Sequence, residues 1–140
     1  MRLSSLAPWV AAAALACASD PSRAFDDAEF CVAARQFVRS AAGDVGTWTD
    51  RFTRNDGVEI GCDLKTVHFK RFYKAPASAI TEAWKEHQAE AWESAYCRRP
   101  LWRDAVGNGW VVSATVTTAG GERVWLACLP DGRGFYRTLR

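Results

Sequence analysis

Apolar residues recur every third or fourth position from Asp26 to Ala42 and every second position from Val58 to Lys65. That change of period divides the chain into helix and strand. In the first segment Phe30, Ala34, Phe37, Val38 and Ala41 share one stripe, with Arg35 and Arg39 opposite, which predicts an amphipathic helix. Asp26, Asp27 and Glu29 stand in its first turn, where negative charge suits the helix dipole, and Gly43 and Gly46 end it. Cys31 lies at the edge of the stripe.

Residues 47–74 read as strands. Trp48 and Phe52 flank a short extended piece, and Asn55-Asp56-Gly57 carries a strong turn signal. After it Val58, Ile60, Cys62 and Leu64 alternate with Glu59, Gly61, Asp63 and Lys65, the period of a half-buried strand with Cys62 on its core side. Alternation resumes in Val67 and Phe69 against His68 and Lys70, out of phase with the preceding run. A bulge or tight bend is therefore expected near Lys65-Thr66.

A second helix is predicted over 78–97. Ile80, Ala83, Trp84, His87, Ala91 and Ala95 gather on one side, and Glu82, Glu86, Glu90 and Glu93 on the other. Pro100 blocks its continuation. A helical turn from Trp102 to Val106, a valine- and threonine-rich strand from Trp110 to Thr118, and a last strand from Glu122 to Leu129 follow. Pro130-Asp131-Gly132 opens what reads as a polar tail. The order α-β-β-α-β-β predicts an α+β domain, an antiparallel sheet of about four strands packed by two helices on one face.

Before Asp26 the pattern is different. Arg2 precedes an apolar run from Leu6 to Ala18 that ends in small residues, the layout of a secretory signal. Cleavage after Ala24 releases a single domain, residues 25–140; cleavage after Ala18 is the alternative. The run is too short and too interrupted by Pro8 to favour a membrane span. Lipid modification of Cys17 is a further alternative, although Ala14-Leu15-Ala16 lacks the usual large aliphatic residue.

Export changes the meaning of the cysteines. Cys31, Cys62, Cys97 and Cys128 are even in number and widely spaced, unlike the close pairs of metal and redox sites, and so predict two structural disulfides. Four cysteines allow three pairings. Cys62 and Cys128 face the core from strands and Cys31 and Cys97 lie at helix ends, which favours helix-to-sheet bridges. Cys62–Cys97 with Cys31–Cys128 is preferred, ahead of Cys31–Cys62 with Cys97–Cys128.

Charge and motif content exclude more than they identify. Lys plus Arg number 18 and Asp plus Glu 16. So even a balance lacks the basic footprint of a nucleic-acid binder. With the thiols paired there is no nucleophilic cysteine, and no nucleophile elbow, phosphate loop or His-Glu-x-x-His motif occurs. No cofactor or metal is expected, nor catalysis. His87 with Glu90 is the one conceivable acid-base pair, and packing of His87 beside Trp84 is the plainer expectation. The candidate binding surface is the basic, aromatic run Lys65, Lys70, Arg71 and Tyr73, together with Trp92 and Trp125. Tryptophan, tyrosine and arginine concentrate at interface hot spots. The expected function is that of a periplasmic or secreted binding or accessory domain acting on another envelope or secreted protein. The competing expectation is a small-ligand pocket between helix 78–97 and the sheet, lined by Trp84, His87 and Trp110.

Overall fold

A computed structural model describes residues 24–140; the signal, its alternative anchor and Cys17 lie outside the described residues. Helix α1 (Asp27–Ala41) opens with Asp26 accepting a hydrogen bond from the Glu29 amide at 2.9 Å, one of the amides a helix start leaves without a partner. Strands β1 (Thr53–Gly61) and β2 (Thr66–Tyr73) form a hairpin. Helix α2 (Glu82–Trp92) is capped by Thr81 and runs into a π-helical turn, Glu93–Cys97, and then α3 (Pro100–Gly107). Strands β3 (Val111–Thr118), β4 (Arg123–Cys128) and β5 (Gly134–Leu139) follow.

The five strands form one sheet in chain order, β1-β2-β3-β4-β5. Every neighbouring pair is antiparallel except β2 and β3, which run parallel with Thr66 opposite Val111. The all-antiparallel expectation fails here because α2, the π turn and α3 carry the chain back before β3 begins. A crossover of that length is what parallel pairing requires.

Two further differences concern turns. Asn55-Asp56-Gly57 does not turn the chain; it forms a bulge inside β1, where the register slips between Asn55 and Gly57. Gly57 has φ +129°, and its amide donates to the Asn55 side chain at 3.1 Å. The residues that favour a hairpin loop also favour a bulge, since both need a backbone that glycine tolerates. The hairpin instead turns at 62–65, close to the expected phase slip, with Lys65 in the left-handed region at φ 52°. Pro130-Asp131-Gly132 is the other case: it leads into β5, not a tail.

The core lies between one face of the sheet and the helices. Phe30 and Ala34 from α1, Trp92 and Trp102 from the helical crossover, and Val67, Phe69, Val112, Ala114, Val116, Val124 and Leu126 from the strands are buried together. Phe30 meets Trp110 edge-on, ring centres 4.5 Å apart. The buried side of α2 is not the predicted one. Lys85, Ala89 and Trp92 face inward while Ala83, His87 and Ala91 are exposed. One tryptophan carries more apolar area than several alanines. Lys85 buries its alkyl stem, and its ammonium reaches Glu82 at 2.7 Å.

The disulfides are Cys31–Cys62 and Cys97–Cys128, with Cα separations of 5.8 and 5.3 Å. Both bridge a helical segment to the sheet, as expected, but the preferred pairing is overturned. Helix α1 lies on β1, so Cys31 meets Cys62 just beyond that strand. Helix α2 and the π turn lie on β4 and β5, so Cys97 meets the end of β4. The parallel crossover decides which strand each helix covers.

Candidate binding surface

Among the described residues, helices cover one face of the sheet and leave the opposite face bare. Because side chains alternate along a strand, the residues between the core positions point to that open side. Register places them in three rows across the sheet. Glu59, His68, Ser113, Ala127 and Phe135 form the first. Lys70, Thr115, Trp125 and Arg137 form the second, and Arg54, Phe72, Thr117, Arg123 and Leu139 the third.

Aromatic and cationic groups gather towards both edges of this face. Near β1 the Arg54 guanidinium lies over Phe72 at 4.7 Å and over Trp48 at 5.7 Å, and pairs with Asp56 at 2.6 Å. Near β5, Trp125 meets Phe135 edge-on at 5.5 Å, and Arg137 lies over the Trp125 ring at 5.0 Å. A planar cation against a ring face is held by the ring quadrupole, on the order of 0.5 to 2 kcal/mol. Lys70 pairs with Glu59. Arg123 and Arg137 have no carboxylate partner among the described residues and are exposed, so the β4–β5 side carries uncompensated positive charge.

His68 sits in the middle of the face. Its Nδ1 lies 2.8 Å from the Ser113 hydroxyl and its Nε2 3.0 Å from that of Thr115. Partial burial holds it below the usual histidine range, so the ring is neutral near pH 7. A neutral imidazole donates from one nitrogen and accepts at the other, and both are engaged here. With Lys70, Thr115, Thr117, Asp56 and Arg123 it lines a shallow depression of about 270 Å³.

The six residues expected to form one surface are therefore divided. Lys70 and Trp125 stand in the same row of the bare face, with only Thr115 between them. Arg71 and Tyr73 alternate to the covered face, where Tyr73 packs on Trp84 at 4.8 Å. Trp92 is 1% exposed and belongs to the core. Lys65 lies in the β1–β2 turn and pairs at 2.8 Å with Asp27, which also accepts a hydrogen bond from the Trp110 indole at 2.8 Å. The Lys65 ammonium and then the indole hold the Asp27 carboxyl below the ordinary carboxylate range. These contacts tie the start of α1 to the sheet.

The pocket expected among Trp84, His87 and Trp110 does not form: His87 is exposed on α2 and Trp110 is buried beneath α1. No hydrogen bond joins His87 to Glu90 among the described residues. Phe135 and Arg137 were missed because they follow a Pro-Asp-Gly turn read as the start of a tail. The alternation of Phe135, Arg137 and Leu139 with Tyr136 and Thr138 is the signal that would have found them.

No family model matches the chain, and no curated protein is similar to it at a significant level. Its fold is similar to the crystal structure of a candidate secreted protein from Pseudomonas aeruginosa. The TM-score is 0.51 at 8% identity, over 69% of this chain and 84% of that one. At that identity the likeness establishes the architecture alone. The two disulfides fit an oxidising, exported location. No helix among the described residues is long and apolar enough to cross a membrane.

Proposed function

We propose that the chain is an exported, non-catalytic binding domain that docks the bare face of its sheet onto an acidic surface of another envelope or secreted protein. The row Lys70, Thr115, Trp125, Arg137 carries this reading, because it sets a partly exposed tryptophan between cations on the face that no helix among the described residues covers. An aromatic anchor beside arginines is the composition of interface hot spots, and unpaired rim cations steer an acidic partner. The leader read in residues 1–24 and the two disulfides support action outside the cytosol.

The test is capture of a partner from the native envelope extract with the tagged domain. Trp125→Ala combined with Arg137→Ala is expected to lose the partner, whereas His87→Ala, on the outer side of α2, retains it. Equal recovery by all three proteins, or no specific partner for the unaltered domain, would refute the reading.

A further inference from the structure

On the covered face, β2 presents Val67, Phe69, Arg71 and Tyr73 in turn. An arginine in that apolar series is out of place, because a cation removed from water needs a counter-charge or strong hydrogen bonding. Arg71 is half-buried and has no carboxylate partner among the described residues. It is held instead by Trp92 and Tyr96, whose ring centres lie 5.5 and 5.6 Å from the guanidinium carbon, and by one hydrogen bond of 3.2 Å donated to the Tyr96 hydroxyl. Most of its N–H donors make no hydrogen bond among the described residues.

These donors border a cleft of about 270 Å³ between the C-terminal end of α1, β1 and the π turn. Phe37, Phe69 and Tyr96 supply apolar walls, Asn55 a side-chain amide, and Asp44 lies at the rim. The Asn55 carbonyl is occupied by the Gly57 amide, while its NH₂ makes no hydrogen bond among the described residues. The π turn shapes this corner: it sets Tyr96 in a stack on Trp92, centroids 4.3 Å apart, with Tyr96 forming one wall. Such turns recur at functional sites because they displace side chains from the regular helical positions.

We propose that the Arg71 cleft binds a small monocarboxylate with a flat apolar body, its acid group on the free Arg71 donors and its body against Phe37 and Tyr96. A single guanidinium balances one negative charge, and Asp44 at the rim disfavours a dianion such as phosphate. The volume admits only a small molecule. This cleft is on the opposite side of the sheet from the protein-docking face, and the two proposals stand or fall separately.

The test titrates the domain with phenylacetate, with benzyl alcohol as a neutral counterpart and with inorganic phosphate, read by tryptophan emission and by the thermal midpoint. Phenylacetate is expected to perturb emission and raise the midpoint, and the other two are not. Arg71→Met should weaken phenylacetate by roughly tenfold or more, the loss expected for a charge-assisted pair. Asp44→Asn, an exposed change, should tighten it about two- to threefold. If Arg71→Met does not fold, the Asp44→Asn affinity decides. No response to phenylacetate at millimolar concentration, phosphate or benzyl alcohol binding equally well, or affinity unchanged in the variants would overturn the proposal.

Discussion

Trp92 and Trp125 are the same residue on opposite sides of one sheet. Trp92 points inward from the end of α2, stacked on Tyr96 and against Phe69, and is closed to water. Trp125 stands on the bare face with Phe135 and Arg137 around it and part of its ring open. The contrast separates what holds the fold together from what is left available for a partner. Burial of a tryptophan removes on the order of 200 Å² from water, worth roughly 5 kcal/mol as an upper bound. On the covered face that area stabilises the chain; on the bare face much of it is available to association.

Breaking the covered side should therefore have the largest effect on stability. Trp92→Ala is expected to cost about 4 kcal/mol in urea unfolding, through lost burial and the cavity left beneath the helices. Next come the disulfides. Each closes a loop with a sequence separation of 31. In the chain-entropy model each loop of that length stabilises by roughly 3 to 4 kcal/mol, so Cys31→Ala/Cys62→Ala and Cys97→Ala/Cys128→Ala should lose similar amounts. Peptide mapping without reductant should recover those two pairs and no others.

A smaller effect is expected at Gly134, where β5 passes under α2. A Cβ there would lie 2.4 Å from the Ala89 carbonyl oxygen and 3.1 Å from the Glu93 amide nitrogen. The Gly134 amide donates to the Glu93 carboxylate at 3.0 Å, so the close approach is held from both sides. Gly134→Ala should cost about 2 to 3 kcal/mol in the same unfolding assay. Trp125→Ala, by contrast, should cost about 1 kcal/mol or less while removing partner recovery. A stability loss as large as that of Trp92→Ala would erase the distinction between the faces.

The smallest effect is one of pH. Partial burial depresses His68 in the folded chain, while the unfolded chain titrates near the ordinary value of 6.5. As pH falls below that value the unfolded state takes up a proton that the folded state refuses, so stability declines through the lower folded pKa. The depressed carboxyls of Asp27, Glu82 and Glu93 act in the same direction, but only below ordinary carboxylate values of 3.8 to 4.5. His68→Gln should flatten the decline just below pH 6.5 and leave the more acidic one unchanged, as read by unfolding at a series of pH values.

The sequence exposed local order better than spatial order. Periodicity located α1 to within a residue or so, since Asp26 caps it and Phe30, Ala34 and Phe37 do turn inward. It failed on α2, where counting apolar residues favoured the alanines, while the area of Trp92 and the stem of Lys85 set the orientation. The even cysteine count carried the prediction of two bridges, and the placement of the cysteines on helices and strands that of helix-to-sheet links; both are present. Their pairing depended on which strand each helix covers, a consequence of the parallel β2–β3 contact that no local pattern encodes. The division of the binding surface was, by contrast, a local matter: Lys70 and Arg71 are adjacent in sequence, and the alternation of β2 sends them to opposite faces. Trp125 joined Lys70 only through the register of β2, β3 and β4.

The most direct test of the two-face assignment is hydroxyl-radical footprinting of the domain alone and bound to its captured partner. Protection is expected at Trp125, Phe135 and Phe72, with the exposed helix-side residues Val32, His87 and Leu101 labelled as before. Protection of those helix-side residues, with Trp125 labelled equally in both samples, would contradict it.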